Sequence, residues 1–459
     1  MPTRQTYMKA GLTGSLKNND DLENMKRMLI AMAAAALMMS CSVDPQGGKE
    51  EETPKEYEYM VATLNIDTEN AEPVIEKKKK INCTVTIDHP NDAWDLTATG
   101  TVRGRGNSTW LWYDKKPYRF KLDEKASVLG LDPEKDWVLL ANYRDPSHLM
   151  NTFVFELGRT MGMPYTNHSR YVELTMNGEY LGLYQLTEQV EQGGNRVDVD
   201  DIDGVLISLD ADDGPDLSPD AGDNFWSKIY GMPVCVKHPE DDMTPARYTA
   251  IRNDFAKLEA SILAIRKRTG TLEQVKELMD VQSFIDFLII QELVYNVELA
   301  APRSMYMHKD KDGKWAMGPL WDFDAGFDFD WGTMYSGHHY FESYKDLVLG
   351  TDPIHHTGGY WVPEFFTDIF RSDEFRQAYR ERWAEISPLI MTEVWGRVSK
   401  YAEHAKDALN RNAAKWPIYF PSDDNPQTEI SWEDELDKMA VWLTQRIDYL
   451  TPVINKYKE

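Results

Sequence analysis

The spacing of apolar positions divides the chain into a strand-patterned first part and a helix-patterned second part. Ile81-Asn82-Cys83-Thr84-Val85-Thr86-Ile87 alternates strictly, the period of a half-buried strand. In the stretch Lys116–Leu122 the same period puts Tyr118, Phe120 and Leu122 on one face and Arg119 and Lys121 on the other. Residues 172–184 should fold back on themselves at Asn177-Gly178, a strong hairpin turn signal. Between these strands, residues 145–162 read as a helix. Asp145-Pro146-Ser147 opens it with Ser147 as N-cap, and Gly162 with Pro164 closes it. Leu149, Phe153 and Leu157 form its apolar stripe. Glu156 falls close to that stripe and needs a partner, for which Lys121 is the candidate.

Residues 191–245 are rich in turns and acids, with a short strand at 205–209. From 246 the helical period dominates. It predicts helices at about 246–268, 272–279, 281–295, 362–371, 373–386, 390–414 and 432–457. Asp280 caps the third of these, which is apolar nearly all round and should be a core element. Arg303–His308 reads as a strand, Asp310–Gly313 as a turn, and Trp315–Leu320 as a returning strand that presents Asp322 at its end. The fold class is α+β.

The first 41 residues carry a different pattern. Met25-Lys26-Arg27 precedes a short apolar run, 28–40, and then Cys41. The run is shorter than the ~20 residues that span a bilayer. A basic start, a short apolar stretch and a small residue before cleavage make a secretory signal. With Cys41 at the cleavage point, it resembles a bacterial lipoprotein signal whose Cys41 is lipidated. That implies an extracytoplasmic protein held at the outer membrane or cell surface by its lipid alone. The expected organisation is leader and signal 1–41, charged linker 42–58, β-rich part 59–190 and mainly helical part 191–459.

Composition narrows the function. The 459 residues carry a net charge of −26, which argues against a nucleic-acid partner. Cys83 and Cys235 follow Cys41, without Cys-x-x-Cys or zinc spacing. Cys83 is expected as a buried thiol, and a single bond to Cys235 stays open.

Two stretches carry chemistry. In Arg103-Gly104-Arg105-Gly106-Asn107-Ser108-Thr109-Trp110, glycines alternate with arginines, so backbone amides and guanidinium groups are exposed together, which suits phosphate. In Trp321-Asp322-Phe323-Asp324-Ala325-Gly326-Phe327-Asp328-Phe329-Asp330 the acids are separated by aromatic and small residues. Such acids belong to a partly buried wall, and a hard divalent cation bound by carboxylate oxygens would satisfy them. A structural turn whose acids cap backbone amides is the competing reading.

Both stretches resemble the spore-coat protein H (CotH) kinase family. So do Lys115-Lys116-Pro117-Tyr118-Arg119, Trp137–Tyr143, Gly178–Tyr184 and Gly318–Asp324, in the same order, over roughly residues 59–400. The resemblance implies an atypical protein-kinase-like fold of two lobes that uses ATP and Mg²⁺. It implies transfer of phosphate to hydroxyls of an extracytoplasmic protein or glycan. By position, Asp322 and Asp324 match metal-binding acids, and Arg105, Arg119 and Lys121 face phosphates. Glu156 pairs the strand cation and Glu188 borders the adenine. Where many members carry a base Asp, this chain has Asn296-Val297-Glu298, which makes Glu298 the candidate base beside Asn296. The family's common arginine before Asn151 is Met150 here. Two other functions stay open: a surface lipoprotein that binds a protein or carbohydrate partner with weak catalysis, for which Trp110, Trp112 and Trp331 are candidate contacts, and a carbohydrate hydrolase using paired carboxylates.

Overall fold

The computed structural model describes residues 56–212, 223–240, 243–329, 340, 342–420 and 428–457. Cys41, Asp330, Trp331 and most of the expected linker lie outside them. The first part is a closed barrel built from β1 (Ala62–Thr68), β2 (Ile81–Asp88), β3 (Leu96–Gly104), β4 (Tyr118–Ala126), β5 (Glu134–Leu140), β6 (Arg170–Met176) and β7 (Glu179–Glu188). Their order around the barrel is β1-β2-β3-β4-β5-β7-β6. Neighbours are antiparallel except β1 and β6, which close the ring in parallel with Ala62 opposite Val172. The alternation seen in the sequence fills the interior: Leu64, Val85, Val102, Phe120, Leu122, Trp137 and Leu186 are all buried there.

The outer face of β5, β6 and β7 is also buried. Val138, Tyr171 and Leu183 join a second core with helix α2 (Met150–Met161) and the helices that follow. Between β3 and β4 lies the short helix α1 (Ser108–Trp112). Its Trp110 ring lies against Gly104, where a Cβ would sit 2.3 Å from the ring.

The second part is helical around a small sheet. The helices are α3 (Pro245–Arg266), α4 (Leu272–Lys276), α5 (Val281–Leu293), α6 (Glu364–Thr367), α7 (Asp373–Leu389), α8 (Trp395–Lys415) and α9 (Trp432–Asn455). The periodicity places each of them within a few residues, and Asp280 caps α5 as expected, accepting from Gln282 N and Ser283 N. A π-helical turn, Ile390–Val394, joins α7 to α8. The strands expected at 205–209, 303–308 and 315–320 belong to one small sheet within this part. Strands β8 (Val205–Leu209), β9 (Phe225–Trp226), β10 (Pro233–His238), β11 (Met305–Lys309) and β12 (Ala316–Met317) pair in the order β12-β11-β8-β10-β9. Strands about a hundred residues apart in sequence, β8 and β11, are neighbours with Leu209 opposite Met305. The sequence pattern marks β8, β11 and β12 and carries no signal for the pairing of β8 with β11.

Helix α8 fastens the helical part to the barrel. Trp416 Nε1 donates to Leu181 O at 2.8 Å, and Leu183 N donates to Asn412 Oδ1 at 3.0 Å. Gly182, with φ of 108°, allows this approach, since a Cβ there would lie 2.6 Å from Asn412 Oδ1. Cys83 and Cys235 are both buried and form no disulfide with each other, Cys235 Sγ donates to Asp210 O at 3.8 Å, and burial pushes the Cys83 thiol up to about 12. Among the described residues no helix is long and apolar enough to cross a membrane.

Candidate active site

A cleft of about 1030 Å³ opens where α1 and the ends of β3 and β5 meet the ends of β8 and β11 and the Trp321–Asp324 segment. Arg105, Arg119, Glu298, Asp322 and Asp324, which the sequence singles out from distant positions, all line it. Glu188, Lys121, Glu156 and Asn296 do not.

The acids come from two places. After α5 the chain turns through Asn296, whose Oδ1 accepts from Glu298 N at 3.2 Å. Asn296 therefore shapes the turn that delivers Glu298 to the cleft. Glu298 is buried, and that burial, with the Asp322 charge next, raises its carboxyl above the usual range while Arg144 and Arg303 oppose the shift. The second source is the segment after β12. Asn151 Oδ1, on α2, accepts from Phe323 N at 2.9 Å and pins this segment. Asp322 has φ of 66° and is exposed to the cleft, with Ser304 Oγ donating to its Oδ2 at 3.3 Å. Asp324 is buried instead and lies 3.3 Å from Arg144 Nη1. Burial raises Asp324, and Arg144 pulls it back. Asp322 adds to the field at both Glu298 and Asp324, so the three carboxylates are electrostatic neighbours.

Cations outnumber these acids. Lys77, Lys78, Arg103, Arg105, Arg119, Arg144, Lys237 and Arg303 line the cleft against Asp210, Asp212, Glu298, Asp322 and Asp324. In a chain of net charge −26 this is a local inversion of sign. Arg105 lies 5.4 Å from the centre of the Trp321 ring and feels the charges of Asp322 and Asp324. Arg119 bonds Asp136 at 2.6 Å. Arg144, which the sequence reading missed, reaches Ser108 Oγ at 3.1 Å with Nη2 and Asp324 with Nη1. It directly follows the Trp137–Tyr143 run, in a stretch without period, so its charge beside that run is the signal for it. The run Lys77–Lys80 was a visible signal that went unused.

Several expectations are corrected. Lys121 and Glu156 do not pair. Lys121, on the outward face of β4, bonds Asp136 at 2.9 Å, while Tyr118, Phe120 and Leu122 fill the barrel. Glu156 is buried on the other side of α2, bonded to Arg159 and, at 2.7 Å, to Arg397 of α8. It lines a separate pocket with Tyr59 and Tyr401. Glu188 is bonded to His168 Nδ1 at 2.6 Å at the end of β7. Helix α2 starts at Met150, later than expected. Asp145 Oδ2, not Ser147, caps Met150 N at 2.8 Å, and Ser147 Oγ accepts from Leu149 N. Trp110 packs inward on Gly104, while Trp112 is exposed at the cleft.

Among the described residues no group of three or more His, Cys, Asp or Glu is arranged to hold a metal ion by itself. The arrangement can bind a polyanion through its guanidinium and ammonium groups and can bring one or two carboxylates to a cation shared with that anion. No curated protein matches the chain. A family model described as CotH kinase protein matches residues 102–450, which contain the cleft's acid motif, Glu298 and the Gly-rich segment from Arg103 onward, and the chain belongs to that family.

Proposed function

We propose that the chain is an atypical two-lobed kinase that moves a phosphoryl group from ATP, with Mg²⁺, to a hydroxyl of an extracytoplasmic protein or glycan. The observation that supports it most is the meeting of the Gly-rich Arg105 segment with Glu298, Asp322 and Asp324 in one basic cleft. In phosphoryl transfer the protein chiefly positions groups and neutralises charge, which this set of side chains suits. The lipid anchor on Cys41 and a place at the outer membrane or cell surface belong to the same proposal.

The donor set fits Mg²⁺ bound in the way that ion prefers. Mg²⁺ commonly takes one or two carboxylates and completes its shell with phosphate oxygens and water. Asp322, exposed to the cleft, would be the first ligand and Asp324 the second. Burial raises Asp324 and Glu298, the Asp322 charge adds to both shifts, and a cation would relieve that second, repulsive part. When bound, Mg²⁺ neutralises charge on the phosphates. Arg105 and Arg119 would hold phosphate oxygens. Glu298, buried at the cleft, would accept the acceptor's hydroxyl proton. Its raised range leaves it largely protonated at neutral pH until positive charge is added beside Asp322, so proton removal is tied to a loaded cleft. Lys121, Glu156 and Glu188 support the fold from outside the cleft.

The test is transfer of label from γ-labelled ATP to the chain itself or to cell-surface protein and glycan fractions. Label that needs Mg²⁺ and disappears in Asp322→Ala supports the proposal; no label in any fraction contradicts it. A binding module with weak catalysis is the second reading. It is favoured by Trp112 and Tyr360, which are 50% and 43% exposed at the cleft. Ligand binding that survives Asp322→Ala would favour it.

A further inference from the structure

We propose that the mouth of the cleft is the docking face for an acidic glycan, whose sugar hydroxyl is the acceptor of the phosphoryl group. The face deepens the phosphotransferase reading by naming its substrate class, and the transfer rests on that reading.

Two exposed rings reach the cleft from different parts of the fold. Trp112 ends α1 on the barrel side, and Tyr360 lies just before α6 on the helical side. Both line the cleft and are about half exposed. Tyr360 is held in place. Its N donates to Val348 O at 3.1 Å, and its Oη lies 3.4 Å from Tyr295 Oη. Tyr295 immediately precedes Asn296, whose turn delivers Glu298. A ligand resting on Tyr360 therefore enters the side of the cleft that holds the candidate base.

The C–H face of a sugar ring suits the negative face of an aromatic ring, and its hydroxyls stay free for polar partners. Such partners line the cleft before Trp112, in Asn107, Ser108 and Thr109. An extended peptide would pair with a free strand edge, and the closed barrel offers none. A helical peptide would seek an apolar groove, where α1 and its start present polar groups instead.

The sign of the glycan follows from cations that the nucleotide does not use. Arg105 and Arg119 are assigned to its phosphates. Lys77, Lys78 and Arg103 remain, and all three line the cleft. Arg103 Nη1 donates to Lys77 O at 2.8 Å, and Lys77 Nζ donates to Asn107 Oδ1 at 3.2 Å, so this basic corner adjoins α1. None of the three forms an ion pair with a carboxylate among the described residues. In a chain of net charge −26, such a corner selects an anionic partner. In the transfer, the sugar oxygen bonds to the γ-phosphorus. The bond from that phosphorus to the β–γ bridging oxygen breaks, ADP leaves with the electron pair, and the hydroxyl proton passes to ionised Glu298.

The test titrates short oligosaccharides into the full chain by calorimetry. Oligogalacturonate and a sulfated oligosaccharide are the acidic probes, a galacto-oligosaccharide is the neutral one, and an acidic serine peptide stands for a protein acceptor. The better acidic sugar should bind at least about tenfold tighter than the neutral sugar and the peptide. It should weaken at least about tenfold in Trp112→Ala and at least about fivefold in Lys78→Glu, with each fold checked by urea unfolding. Trp226→Ala, which removes an exposed ring that does not line the cleft, should bind like the wild type. With Mg²⁺ and γ-labelled ATP, label should pass to that sugar. Binding of the neutral sugar or the peptide as tight as that of the acidic sugars overturns the proposal. Unchanged binding in Trp112→Ala, or an equal loss in Trp226→Ala, overturns it too. A wild type that binds the acidic sugar and no ATP with Mg²⁺ overturns the phosphotransferase reading and supports the docking face alone. A wild type that binds ATP with Mg²⁺ and neither acidic sugar overturns the docking face alone.

Discussion

Asp322 and Asp324 stand two positions apart and live in different surroundings. Asp322 faces the cleft from a left-handed backbone conformation, and Asp324 is buried against Arg144. The sequence marks both as acids of a partly buried wall, and of the two Asp324 is the buried one. Their difference depends on Arg144 and Ser304, which come from elsewhere in the chain and leave no local trace. Lys121 and Glu156 show the reverse error. Each was placed on the right element, and the pairing failed because α2 turns Glu156 toward α8. The two should therefore separate by substitution. Lys121 is half exposed and Asp136 keeps Arg119, so Lys121→Ala should cost at most about 1 kcal/mol. Glu156→Ala leaves Arg159 and Arg397 without their buried anion and should cost about 3 kcal/mol in urea unfolding. ATP affinity should change little in either variant, because neither residue lines the cleft.

Asp145 gives the residue scale a pH dependence. Burial pushes its carboxyl up to about 7, against the bonds from Ser147 and Met150 that pull it down. The folded chain therefore keeps a proton that the unfolded chain releases near an ordinary carboxylate value of about 4. This contribution to stability is full below about pH 4 and is lost as pH rises through about 7. Asp145→Asn removes the dependence. Its stability relative to the wild type should rise between pH 5 and pH 7 by up to about 1.4 kcal/mol per pH unit, read from denaturant unfolding at each pH. A difference that stays flat with pH would contradict the assignment.

At the scale of elements, periodicity was enough to place β2, β4, the β6–β7 hairpin and the long helices, and not β1, β3 or β5. Alternation in β2 and β4 and the stripe of α2 each follow from one buried face. It was not enough to see the sheet β12-β11-β8-β10-β9, whose strands are short and meet across distant parts of the chain. Nor could it show how α5 is tied down. Its Glu292 accepts from Val348 N at 3.0 Å and Leu349 N at 2.6 Å and pairs with Arg446 of α9 at 2.9 Å, all out of solvent. Arg446 also donates to the backbone oxygens of Leu293 and Asp346. This one pair fixes α5, α9 and the 343–349 segment together. Glu292→Ala should lose about 3–5 kcal/mol, because it leaves a fully buried guanidinium unpaired. A loss under 1 kcal/mol by chemical unfolding would mean that backbone carbonyls alone hold Arg446.

On the scale of the whole molecule, the acidic chain and its basic cleft have opposite signs. The net charge was legible in the sequence, and so was the Gly-rich arginine segment. The clustering of Lys77, Lys78, Arg144, Lys237 and Arg303 around that segment was not, since it is made by the barrel and the small sheet coming together. Membership of the CotH kinase protein family over residues 102–450 agrees with the motifs read from the sequence. The central claim is that this cleft takes ATP together with a divalent cation through Asp322. Calorimetric titration of ATP into the purified chain, with and without Mg²⁺ and beside Asp322→Ala, tests it most directly. The account predicts binding that strengthens at least about tenfold with Mg²⁺ in the wild type and loses that gain in Asp322→Ala, with the variant folded. Binding that ignores Mg²⁺, or no heat from a folded wild type, would contradict it.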